Sequence, residues 1–111
     1  MEITKNIILG MGHIISWISN WLSSHCNGDW EHEYGMKIET LDNPGWSVII
    51  DLAFTELDHL DFETDMVETD DADWYVYKVR DKQYVAAGDL TKLELLLEKF
   101  KELVESNQKV D

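Results

Sequence analysis

A chain of 111 residues has room for one domain spanning residues 1–111, and at this size folding hides roughly two thirds of the unfolded surface, enough for one modest core. Its 23 Asp and Glu against 9 Lys and Arg, a formal net charge of -14, argue against direct contact with nucleic-acid phosphates or an anionic membrane, both of which recruit lysine and arginine. A hydrophobic fraction of 44% with five tryptophans excludes a disordered chain, and the single Cys26 excludes an intramolecular disulfide, as suits a reducing cytoplasm.

The first apolar run, Ile7 to Gly12, is too short to span a bilayer, which takes about 20 residues. No small-residue cleavage site follows it, so a cytoplasmic protein is expected rather than a secreted one. Ile14, Trp17, Ile18, Trp21, Leu22 and His25 then recur at three- and four-residue steps, with Ser16, Ser19, Asn20 and Ser23 between them. That is one apolar face of a helix. Ile7, Ile8 and Met11 continue the phase back to Thr4 or Lys5, although Gly10 and Gly12 each cost about 1 kcal/mol against alanine. Asn27-Gly28 ends the helix, and Cys26 is expected to be buried by it.

Met36 to Leu41 and Trp46 to Phe54 read as a hairpin joined by Asp42-Asn43-Pro44-Gly45, with proline presetting the second turn position and glycine accepting positive φ at the third. Alternation puts Trp46, Val48, Ile50, Leu52 and Phe54 on the core face of the second strand and Ser47, Ile49, Asp51 and Ala53 on the other. From Glu56 to Asp73 the charged residues are all acids. That stretch is expected to be a loop, with a short strand around Phe62.

Trp74 to Arg80 and Gln83 to Ala87 form a second hairpin around Asp81-Lys82. The last helix starts at Gly88-Asp89, with Asp89 capping its N-terminus. Leu93, Leu96, Leu97, Phe100, Leu103 and Val104 make its buried stripe, and the tail from Asn107 to Asp111 frays. The fold class is α+β: an antiparallel sheet of two hairpins, with the N-terminal and C-terminal helices packed on one face. Trp17, Trp21, Val48, Ile50, Leu93, Leu97 and Phe100 should be buried together.

The densest chemistry lies between His25 and Gly35. His25, Cys26, Glu31 and His32 are zinc-ligand types, but their spacing matches no ligand pattern, and no metal or other cofactor is expected. Asp29, Glu31 and His32 supply acid and base types without a nucleophile elbow, phosphate loop or zinc-helix motif. A catalytic or small-ligand role for this loop is therefore the alternative, and binding to another protein the main reading. Trp17, Trp21 and Trp46 fall on core faces. Trp30 lies in a loop, and Tyr75 and Tyr77 on the face opposite Trp74, so these three are expected to be exposed interface anchors.

Three stretches resemble the immunity protein 53 family of bacterial polymorphic toxin systems. They are Trp17-x-x-x-Trp21, then Cys26-Asn27-Gly28-Asp29-Trp30-Glu31-His32-x-Tyr34-Gly35, then Ile38-Glu39-Thr40-Leu41-Asp42-Asn43-Pro44-Gly45-Trp46. Asp73-Trp74 and Ala87-Gly88-Asp89-Leu90 fit the same pattern. The resemblance runs from about Ile14 to Phe100 and leaves residues 1–12 outside the pattern, open to being an extension or a start-site artefact. It implies a cytoplasmic antidote that binds and neutralises a cognate toxin, and it does not name the toxin's activity.

An acidic inhibitor can attract a basic partner through its long-range field. It can also mimic a phosphate backbone, which favours a nuclease-type toxin domain. The candidate partner-binding residues are Trp30, Glu31, His32, Asp51, Asp61, Glu63, Asp65, Glu68, Asp70, Asp71 and Asp73, in a chain taken as a monomer. Two other readings remain open: the charge serves solubility alone, and Asp29 to His32 fix their own loop by hydrogen bonds.

Overall fold

The computed structural model describes the backbone of residues 2–107 and the side chains of residues 13–107. In chain order the elements are α1 (Glu2–His25), α2 (Trp30–Glu33), β1 (Met36–Leu41), β2 (Gly45–Asp51), β3 (Phe62–Glu63), β4 (Val67–Asp70), β5 (Asp73–Arg80), β6 (Gln83–Gly88) and α3 (Leu93–Ser106). The strands make one antiparallel sheet in the order β1-β2-β6-β5-β3, with β4 also pairing with β5. The fold is α+β, as the hydrophobic periods require. The two hairpins join through β2 and β6, with Val48 opposite Ala86 and Ile50 opposite Tyr84.

That register puts Val48, Ile50, Val79, Tyr84 and Ala86 on one face, where they are fully or almost fully buried beneath the two long helices. Leu96, Leu97, Phe100 and Val104 of α3 join them, as do Ile14, Ile18 and Trp21 of α1. Trp17 and Leu93 pack at the margin. Phe100 sits at the centre, its ring 4.9 Å from Trp21 and 5.1 Å from Tyr84. Each such aromatic pair adds about 0.5–1.5 kcal/mol beyond its buried area. The Tyr84 hydroxyl donates to the Leu96 carbonyl at 2.6 Å, which satisfies the polar tip of a fully buried ring.

Several local expectations need correction. Gly45 does not take positive φ: the Asn43–Pro44 peptide is cis, and Gly45 already begins β2 opposite Leu41. Its lack of a side chain serves close approach, because a Cβ there would lie 2.5 Å from the Gly88 carbonyl oxygen. Asp89 does not cap α3. It closes the turn before the helix, its carboxylate accepting from the Thr91 N–H and hydroxyl. Tyr75 and Tyr77 lie on the covered face and pack against the core, because Tyr77 pairs with the buried Ala86. Cys26 is exposed, since α1 stops one residue before it.

The acidic stretch is more ordered than expected. Phe62 and Glu63 form the anticipated short strand, and β4 follows as a second one. All four β4 residues are exposed, so no buried alternation announces the strand. The Asp81-Lys82 turn forms as expected, with φ of 56° and 62°, the type I′ conformation whose twist suits a two-residue hairpin. Of the tail, Asn107 is described and accepts no part in a frayed end: its N–H bonds to Leu103 and Val104 carbonyls. Residues 108–111 lie outside the described residues.

Candidate partner-binding surface

The candidate acids do not form one cluster. Asp51 stands at the end of β2 near Gly35, on the β1 side of the sheet, while Asp61 to Asp73 run along the opposite edge. Three strand spacings of about 4.8 Å, roughly 14 Å, separate the Asp51 strand from the β3 edge. Even the acidic stretch is divided along the strands. Asp61 and Glu63 lie near the end where β6 begins, and Asp70, Asp71 and Asp73 lie at the other.

Many of these carboxylates already have work inside the fold. Asp51 accepts from the Gly35 N–H at 3.0 Å and from the Gln83 amide at 2.9 Å, tying α2 to the sheet. Asp61 and Glu63 lie 3.2 and 3.6 Å from the Arg80 guanidinium, in exposed pairs that contribute little to stability. Asp73 and Asp89 both lie 2.7 Å from the Lys92 ammonium. Asp89 is 4% exposed, and its Oδ2 also accepts the Trp74 N–H. Hydrogen bonds from Lys92 hold the Asp89 and Asp73 carboxyls below their ordinary range, and the two carboxylates in turn raise the Lys92 ammonium. Asp70 closes the β4–β5 turn by accepting the Ala72 N–H. Asp65, Glu68 and Asp71 are exposed, and among the described residues their carboxylates have no cationic partner.

The loop after α1 is built by its own side chains. The Asn27 Oδ1 accepts the N–H groups of Asp29 and Trp30, both at 2.9 Å. The Glu31 carboxylate reaches back to the N–H groups of Asn27 and Gly28. Its own backbone N–H, together with those two, holds the Glu31 carboxyl below the usual carboxylate range, the opposite of what a general acid needs. Gly28 takes φ of 96° so that the chain can reverse. Glu31 thus fixes the loop, while His32 remains exposed.

Trp30 is not the exposed anchor its sequence position suggested. It is 5% exposed, and its indole N–H donates to the Ala53 carbonyl at 2.8 Å. The partner that buries it lies 23 positions away, which no local pattern reveals. The aromatic residue left exposed is Phe54. The β2 alternation assigned it to the core, but the strand ends at Asp51 and Phe54 is 78% exposed.

Phe54 occupies a tight turn in which the Thr55 N–H and hydroxyl both donate to the Leu52 carbonyl. Its φ is 64°, a left-handed conformation that costs a bulky residue about 1–3 kcal/mol. The ring lies 6.0 Å from Tyr34, which lies 5.9 Å from Trp30. With Asn27, Asp29 and Glu33 these three rings line a pocket of about 200 Å³. Neither Glu31 nor His32 lines it. Among the described residues, no three His, Cys, Asp or Glu side chains converge in a way that would hold a metal ion. No described helix is long and apolar enough to cross a membrane.

A family model described as immunity protein 53 matches residues 15–105. No curated protein and no solved structure matches the chain.

Proposed function

The chain belongs to the immunity protein 53 family, and on that premise we propose that it is a cytoplasmic antidote that binds a bacterial toxin, the toxin being a basic, nuclease-type domain. The observation that carries the basic partner is charge. A net of -14 comes with an outer edge on which Asp65, Glu68 and Asp71 are exposed and have no cationic partner among the described residues. Such an edge raises the local concentration of a cationic domain and speeds its encounter by roughly 10–10³-fold. A charged edge also keeps exposed strands from pairing with one another, so β4 serves solubility whatever else it binds.

On this reading the chain inhibits by occupation and catalyses nothing itself. The test is stopped-flow binding to the inactivated toxin at several salt concentrations, beside survival of cells that express the active toxin. Converting Asp65, Glu68, Asp70 and Asp71 to their amides should lower the association rate and weaken protection while leaving the fold intact. Screening over about 8 Å at physiological ionic strength should slow association more than it speeds release. Unchanged association and full protection would remove the acidic edge from the interface. Glu31 and His32 would then be the next surface to neutralise.

A further inference from the structure

Steering brings a partner to a surface but does not hold it there, and the Phe54 pocket has the chemistry of a holding point. Two rings meet there, Tyr34 and Phe54, with their centroids 6.0 Å apart and their planes inclined by 59°. The buried Trp30 lines it as well. Asp29 and Glu33 also line the pocket, both exposed and neither engaged in an ion pair among the described residues. At about 200 Å³ the space is below the 300–1,000 Å³ or so that small-molecule sites occupy. It suits a single long side chain.

The backbone that carries the Phe54 ring is held in place before any ligand arrives. Ala53 and Thr55 on either side of Phe54 are buried and hydrogen-bonded, Ala53 to the Trp30 indole and Thr55 to Leu52. Tyr34 packs outward against Trp30 at a tilt of 39°, and Trp30 meets Trp21 edge to face at 85°. An exposed ring on a fixed backbone loses little freedom when something packs against it.

Aromatic faces beside unpaired carboxylates select a cation with a flat, weakly hydrated head. That describes a guanidinium better than an ammonium, since it stacks on rings and bonds carboxylates with several N–H groups at once. We propose that this pocket receives an arginine side chain of the protein partner. The guanidinium would lie against Phe54 and Tyr34, with Asp29 and Glu33 as its counter-charges. The identity of the partner rests on the toxin-binding reading, whereas the pocket's preference for arginine does not.

The experiment therefore has two arms. In the first, the whole chain is titrated with N-acetyl-arginine amide, and the Trp30 indole and the Tyr34 and Phe54 amides are followed by NMR. The lysine and citrulline analogues serve as comparisons. Saturable shifts confined to these groups are expected, weaker by at least about tenfold for citrulline, which keeps the shape and loses the charge. Phe54→Gly and Glu33→Gln should each abolish or weaken them. Equal binding of citrulline, or no shift at the pocket, overturns the proposal; tighter binding of lysine overturns the choice of arginine.

In the second arm, Phe54→Gly is measured against the cognate toxin. Its dissociation rate should rise at least about tenfold with association nearly unchanged, the reverse of the pattern expected for the acidic edge. If the arginine probe binds but toxin release is unaltered, the pocket does not hold this partner. If no toxin binds the parent chain, the antidote reading fails while the first arm still decides the pocket's chemistry.

Discussion

At Phe54 the backbone and the side chain both work against the residue's identity. The left-handed φ of 64° favours glycine or asparagine, and a ring that is 78% exposed recovers little free energy from burial. Phe54→Gly should therefore lower the thermal midpoint by no more than about 2 °C, and relief of the turn can raise it, although added freedom of the unfolded chain offsets part of the gain. A calorimetric midpoint well below the parent would mean that the ring packs into the fold. The sequence led astray here for a definite reason. Every second residue from Trp46 to Phe54 is apolar, and nothing local tells that pairing stops at Ile50 with β1 and at Asp51 with β6. Trp30 failed in the opposite sense, its burial depending on a carbonyl in a turn far along the chain. Glu31 was legible as part of a loop that fixes itself, because short-range side-chain to backbone bonds follow from residue type and spacing, whereas Asn27 was read only as the end of the helix.

Among the elements, α3 was the most readable. Its apolar residues repeat at helical steps, and four of the six named ones, Leu96, Leu97, Phe100 and Val104, are buried. Leu97 is 1% exposed beneath α1 and against the sheet. Leu97→Ala should lose on the order of 2–5 kcal/mol in denaturant unfolding, from lost transfer energy and the cavity left behind. A curve coincident with the parent would contradict the assignment of this face to the core. The second hairpin was equally legible from Asp81-Lys82. β4 was not, because a fully exposed edge strand has no buried face to impose a period of two. Its carboxylates disguised it further by reading as loop composition.

For the molecule as a whole, composition gave the sign of the surface field but not its layout. The acids lie on both edges of the sheet, and several are tied to Arg80, Lys92 or backbone N–H groups. The remaining excess repels itself, so adding salt to a dilute buffer should stabilise the fold. A gain on the order of 1 kcal/mol would raise the midpoint by about 4–8 °C in a domain near this size. A flat response to sodium chloride between about 10 mM and 300 mM, over which the screening length shrinks from 30 Å to well under 10 Å, would show that the charges are already compensated.

The two ends of the sheet are fastened by different forces. One end is joined by rings and neutral hydrogen bonds through Trp30, Ala53 and Leu52, with the Asp51 carboxylate and the exposed Arg80 pairs beside them; the other hangs on the ionic knot of Asp73, Lys92 and the buried Asp89. Because the folded Asp89 carboxyl titrates below its unfolded value of 3.8, its stabilisation is complete above that value and disappears as pH falls through the folded one. Lys92 behaves oppositely, its share being present below 10.5 and lost as pH rises through its raised folded value. In acid the molecule should thus unfasten from one side. Amide exchange, corrected for its intrinsic rate, should show Trp74 and Thr91 losing protection as pH falls below 3.8, ahead of Leu52 and Thr55. Asp89→Asn should abolish that order. Simultaneous loss at both ends would mean that the sheet opens as one cooperative unit, and that acid has no preferred door.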